Sequence, residues 1–283
     1  MILIGLAGWG DHDDLYPDGT PAGDKLKVYS RHFPVVEVDS SFYAVQPERN
    51  IAKWLRDTPG HFSFVFKAYQ GMTGHARGKL PYATADEMFD SFHLSIGPVH
   101  RAGRLKAVLF QYPPWFDCCK KHVELLKRTR ERMGDVPVAL EFRHQSWFRP
   151  AYIEKTLAFM EREGWIHSIC DEPQAGEGSV PTVERVTSHT RTIVRFHGRN
   201  AEGWNRQGKR DEWRAVRYLY RYSEAELEEW KARLIRLEKQ CEEICVLFNN
   251  NSGGDAASNA KQLQQMLGQE PEPLPPSQIE LDS

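Results

Sequence analysis

No stretch of this sequence approaches the roughly 18 consecutive apolar residues that a membrane-spanning helix needs, so no bilayer partner is expected. The chain opens MILIGLAGWGDHDDLYP, whose short apolar run lacks a basic flank and reads as a first strand rather than a secretion signal. Disulfides are not expected either. Cys118, Cys119, Cys170, Cys241 and Cys245 make an odd count without a CxxC pair, which fits a reducing compartment and a cytoplasmic location. Cys118, Cys119 and His122 are close in sequence, but adjacent cysteines are poor joint ligands and no second pair follows at zinc-site spacing. Net charge is nearly absent: 37 basic against 39 acidic residues leave a formal −2, so any polyanion must be held by a local patch. The G-x-G-x-x-G fingerprint of a dinucleotide-binding fold is missing, because Gly5, Gly8 and Gly10 have the wrong spacing, and no solenoid repeat is visible.

What the sequence does contain is a regular alternation. Its 283 residues, 40% hydrophobic and 11% aromatic, suffice for one well-filled α/β barrel. Short β-rich runs recur at Ile2 to Ala7, Val35 to Asp39, Phe62 to Ala68, Leu105 to Gln111, Val136 to Phe142, Trp165 to Cys170, Thr192 to His197 and Ile244 to Phe248. Segments of helical period separate them, with entry signals such as Gln46-Pro47-Glu48 and Ser223-Glu224-Ala225-Glu226. Eight strands, each expected to be followed by a helix, predict a single-domain (β/α)₈ TIM barrel over residues 1–267. An insertion at about 199–222 interrupts it, and residues 268–283, rich in proline and charge, read as a flexible tail.

In such a barrel alternate strand residues face the interior or the helices, and chemistry collects at the C-terminal ends of the strands. Val138, Leu140 and Phe142 share one face of the fifth strand, leaving Glu141 and Arg143 to face inward. The same parity turns Glu37, Lys67, Arg195 and His197 inward, and Asp171 and Asn249 end the sixth and eighth strands. Buried charges need partners, so these acids and bases either neutralise one another as scaffold or form a site with tuned pKa values.

Joined in order, GLAGWG, VDSSFYAVQP, FKA, EFRHQSW, RFHGRN and FNNNSGGDAASNAKQL resemble the YecE-like family, domain of unknown function 72, from Ile2 to about Leu267. The resemblance implies a TIM barrel and leaves the reaction open.

Residue chemistry supplies the candidates. Glu141, Asp171, His197, Lys67 and Glu37 are candidate catalytic groups; Arg143, Arg195, His144, Asn249, Asn250, Trp9 and Trp147 are candidate substrate contacts. A strand-end carboxylate suits a general base or metal ligand, and a guanidinium suits a carboxylate or phosphate. On this reading Glu141→Gln abolishes function while costing less than about 2 kcal/mol of stability. Gly198 removes a side chain where a ligand approaches. The glycines and asparagines of FNNNSGGDAASNA suggest an anion cradle at a helix N-terminus. In the insertion, Arg199, Arg206, Lys209, Arg210, Arg214, Arg217 and Arg221 interleave with Trp204, Trp213, Tyr218, Tyr220 and Tyr222. That mixture suits a lid, a subunit contact or nucleic acid. The leading expectation is a hydrolase or lyase for a polar, anionic small molecule or phosphate-containing substrate. A divalent-metal phosphoesterase or nuclease using Glu37, Glu141, Asp171 and His197, and a non-catalytic ligand-binding protein, are the alternatives. The motifs single out neither a metal nor a cofactor.

Overall fold

The computed structural model describes residues 1–205, 216–251 and 253–269. In chain order the elements are β1 (Ile2–Ala7), α1 (Lys25–Tyr29), β2 (Val35–Val38), α2 (Ser40–Tyr43), α3 (Glu48–Asp57), β3 (Ser63–Lys67), α4 (Ala85–Arg101), β4 (Leu105–Gln111) and α5 (Lys120–Met133). There follow β5 (Val138–Glu141), α6 (Ile153–Glu163), β6 (Trp165–Asp171), β7 (Arg191–Phe196), α7 (Ala201–Asn205), α8 (Glu224–Leu237), β8 (Glu243–Phe248) and α9 (Asp255–Met266). All eight strands are parallel, each pairs with its sequence neighbour, and β8 returns to β1 to close the barrel.

Strand parity divides the core in two. Val35, Val65, Ala107, Leu109, Ala139, Ile166, Ile193, Cys245 and Leu247 fill the barrel interior. Their alternates, including Val36, Phe64, Phe66, Val108, Leu140 and Val194, pack outward in the larger cluster under the helices. Apolar residues on both faces are what a parallel sheet covered by helices requires. Gly5 is fixed by crowding, since a Cβ there would stand 2.0 Å from the Val35 carbonyl oxygen of the adjoining strand. The apolar interior has ionic ends. At the N-terminal end Glu243 binds Arg191 and Lys106.

Two expectations about the elements need correction. No helix follows β6: residues 172–190 run to β7 as irregular chain. Pro173, Pro181, Gly176 and Gly178, with β-branched Val180, Thr182 and Val183, explain why no helix forms there. In addition, β2 ends at Val38, and Asp39 already has helical dihedrals as the residue before α2. The expected entry to α8 is present as a capping box between Ser223 and Glu226. No helix among the described residues is long and apolar enough to cross a membrane.

Candidate functional site

At the C-terminal end of the barrel the apolar interior gives way to ionised groups. Arg195, next after Ile193 on the inward row of β7, reaches across the barrel to two strands. Its Nε and Nη2 donate to Glu37 at 3.0 and 2.8 Å, and its Nη1 donates to both oxygens of Glu141 at 3.0 and 2.8 Å. One step further out, Arg143 Nε donates to Glu141 at 2.7 Å and Nη1 donates to Glu172 at 2.6 Å. Arg143 Nη2 lies 2.9 Å from His197 Nε2. Ser168 donates to the second Glu141 oxygen at 3.2 Å. The side chains of Glu37, Glu141, Glu172, Arg195 and His197 are wholly enclosed, and Arg143 is 1% exposed.

These contacts separate the acids. Burial raises the Glu141 pKa, but Arg143 and Arg195 prevail and hold the carboxyl well below its usual range. Glu172 is pushed the other way, to about 7, by burial that Arg143 and the Val180 N–H only partly offset. Glu37 is also raised by burial against the pull of Arg195. His197 is held neutral, first by burial and then by the two guanidiniums. Its Nε2 lies against Arg143 Nη2 at 2.9 Å, and its Nδ1 lies 3.0 Å from the Asn249 amide nitrogen. Burial lowers the Lys67 pKa, but Asp39 at 2.8 Å and Glu37 raise it overall, so Lys67 remains a cation. Lys67 is the cation of this group that water reaches, with a side chain 14% exposed.

The structure thus brings Glu37, Glu141, Arg143, Arg195, His197, Lys67 and Asn249 to one mouth and sends other candidates elsewhere. Asp171 faces the helices. It accepts from Arg199 Nε and Nη2 at 2.9 Å and from Trp230 Nε1 at 2.5 Å, outside the barrel. In β6 the inward row is Ile166, Ser168, Cys170 and then Glu172, so the mouth carboxylate is one residue beyond the expected one. Parity counted from Ile166 would have found it. A cavity of about 640 Å³ adjoins this corner, between Asp171, Glu172, Gln174, Thr182, Arg199 and Arg233, on the flank of the barrel rather than over its axis.

Trp147 is 1% exposed and stacked on Phe142 at 4.1 Å, with its N–H donated to the Phe116 carbonyl, so its ring is packed beneath the loop. Trp9 turns toward α3, edge to face with Trp54 at 5.1 Å. His144 Nδ1 accepts from the Ser146 N–H and closes a 3-10 turn over Gln145–Phe148. Asn250 is fully buried and donates to the Tyr220 carbonyl and to Asn259.

Of the expected anion cradle, Ser252 lies outside the described residues. Asp255 occupies the first turn of α9, and a Cβ on Gly253 would meet Leu219 at 2.6 Å and the Asp255 carboxylate at 3.2 Å. The space beside Gly198 is taken by Tyr220, whose Cβ lies 2.5 Å from where a Gly198 Cβ would stand. Within the insertion, Trp204 lies under the Arg143 guanidinium at 5.7 Å and Tyr218 is 6.1 Å from the His197 ring. Arg206, Lys209, Arg210, Trp213 and Arg214 lie outside the described residues.

Glu141, Cys170 and His197 have donor atoms within 4.8 Å of one another. They do not fit a divalent cation, because the Glu141 oxygens are taken by Arg143 and Arg195 and two guanidiniums would repel the ion. Asp117, rather than Cys118, joins Cys119 and His122 in a second such group at the start of α5.

Fold and site together define a TIM-barrel protein with a compensated arginine–glutamate cluster at the C-terminal end of its strands. The chain belongs to the DUF72 family, described as proteins of unknown function, which it matches over residues 3–280. It is 57% identical to UPF0759 protein YunF of Bacillus subtilis (strain 168), over 99% of this chain and 100% of that protein. To UPF0759 protein YecE of Escherichia coli (strain K12) it is 24% identical, over 73% and 78% of the two chains. Among solved structures, a DUF72 protein from Enterococcus faecalis V583 shares the fold with a TM-score of 0.91 and 35% identity, over 99% of this chain and 100% of that one. One from Thermotoga maritima MSB8 gives 0.80 and 32%, over 95% and 99%.

Proposed function

We propose that this protein is a hydrolase or lyase that binds a polar, anionic small molecule at the C-terminal mouth of the barrel. One observation carries the reading: two buried carboxyl groups, Glu141 and Glu172, share the Arg143 guanidinium, and their surroundings drive their pKa values apart, Glu141 well below its usual range and Glu172 up to about 7. Environments that drive paired acids apart are how one site supplies a fixed anion and an exchangeable proton at neutral pH. Glu172 is then the proton carrier, the solvent-reached Lys67 meets the substrate's negative charge, and Glu141 fixes the enclosed Arg143 beneath it. Trp204 and Tyr218 act as the inner face of a lid. The five unpaired cysteines support a reducing, cytoplasmic setting.

Mass spectrometry of a metabolite extract incubated with the wild type and with Glu172→Gln tests this. An anionic compound should be consumed by the wild type and spared by a folded variant. If no compound is consumed but one is retained through dialysis, the protein is a ligand-binding barrel and the catalytic reading fails.

A further inference from the structure

Beside Lys67, the short helix α2 and the loops after β3 and β4 line up aromatic rings edge to face. Tyr43 and Phe42 lie 5.2 Å apart, Phe42 and His75 5.1 Å, and His75 and Trp115 6.0 Å. The row ends in water on both sides, for Tyr43 is 52% and Trp115 59% exposed. Leaving two large rings uncovered forgoes hydrophobic free energy that burial would recover. The Lys67 ammonium stands 4.9 Å over the Phe42 ring, so the row begins at the solvent-reached cation of the mouth. Burial and then Lys67 and Arg143 lower the His75 pKa to about 4, which keeps that ring uncharged at neutral pH.

We propose that Tyr43, Phe42, His75 and Trp115 form a stacking subsite for a planar aromatic or heteroaromatic ring, the uncharged part of a substrate whose anionic group meets Lys67. The inference rests on the reading that the mouth takes an anion and names the substrate's other half. A sugar ring fits less well, because a sugar needs free hydrogen-bonding groups in its own plane. Here Thr73 and His75 already bond each other at 2.9 Å, and Gln70 donates to the Tyr43 carbonyl.

Calorimetric titration with phenyl phosphate, cyclohexyl phosphate and inorganic phosphate separates charge from stacking, since the first two match in size and charge and differ in planarity. Phenyl phosphate should bind at least about fivefold tighter than cyclohexyl phosphate, the low end of the gain from stacking one ring. Trp115→Ala should abolish that ratio while leaving inorganic phosphate affinity within about twofold, and circular dichroism should show the fold intact. A ratio near one in the wild type, or a ratio that survives in Trp115→Ala, overturns the subsite. Phosphate binding that is indifferent to Lys67→Met counts instead against the anion reading, so the two failures are distinguishable.

Discussion

Replacing Glu141 by glutamine is the most informative single perturbation of this molecule. One of its oxygens accepts from Arg143 Nε and Arg195 Nη1 at 2.7 and 3.0 Å, and the other from Arg195 Nη1 and Ser168 at 2.8 and 3.2 Å. The glutamine amide fits best with its oxygen on the first pair and its nitrogen toward the Ser168 hydroxyl, which then accepts. Even so, an N–H is directed at Arg195, and two buried guanidiniums lose the anion they share. Breaking a buried ion pair from one side costs about 3–5 kcal/mol. That magnitude replaces the loss of under about 2 kcal/mol expected from an isolated strand-end base. For a chain of this size it lowers Tm by roughly 6–20 °C. Urea unfolding at pH 7 followed by circular dichroism measures it, with an unchanged m-value showing that the denatured state is unaffected. The double variant Glu141→Met, Arg143→Met should cost less than the sum of its single substitutions, because it removes both members of a pair. A loss below about 1 kcal/mol in Glu141→Gln would refute the compensation argument.

Asp171→Asn should destabilise by about 1–3 kcal/mol, since it weakens a buried acceptor of Arg199 and Trp230, and it should leave phosphate affinity unchanged. Reduced affinity in a stable variant would return Asp171 to the site. Trp147→Phe keeps the stack on Phe142 but leaves the Phe116 carbonyl without its donor, so a stability loss of about 1–3 kcal/mol with normal ligand binding is expected. A binding defect without a stability loss would show that Trp147 touches the ligand.

The sequence made the barrel legible because most strands carried their own period and most interior rows were apolar through the middle of the barrel, with charge at the two ends. The mouth cluster was legible for the same reason: Glu37, Glu141 and Arg195 break apolar rows at the same level of adjoining or facing strands. Parity failed where a strand gave no internal reference. In β6 each row carries a polar residue mid-strand, His167 in one and Ser168 in the other, and the acidic pair Asp171-Glu172 straddles the strand end, so the first carboxylate looked like the inward one. Trp147 and Asn250 misled for another reason. Their motifs are dense in functional residue types, yet a tryptophan N–H or an asparagine amide that finds a backbone carbonyl serves as packing. The aromatics Phe42, Tyr43, His75 and Trp115 lie far apart in sequence, and only barrel closure sets them side by side.

The protonation of Glu172 couples the cluster to whatever binds above it. Within the buried cluster, Arg143 and Arg195 balance Glu37 and Glu141 when all four are charged, so Glu172, with the Arg217 cation acting on it, is the group whose protonation changes the charge of the mouth near neutral pH. Its folded pKa is raised from 4.5 to about 7, so its stabilising effect is fully present below pH 4.5 and is lost as pH rises through about 7. In Glu172→Gln the slope of stability against pH across that window should flatten. An anion bound at Lys67 adds negative potential at the mouth and raises the Glu172 pKa further, so binding near pH 7.5 must take up part of a proton. His75 and His197 are lowered and Lys67 is raised, which leaves the two raised carboxyls, Glu172 and Glu37, to accept it, and Glu172→Gln tells them apart. Sulfate does not titrate in this range, so its binding enthalpy measured in two buffers of different ionisation enthalpy reads the uptake directly. The wild type should show a buffer-dependent enthalpy and Glu172→Gln should not. Equal enthalpies for the wild type in both buffers would mean that Glu172 exchanges no proton with the site, and its assignment as the proton carrier would fall.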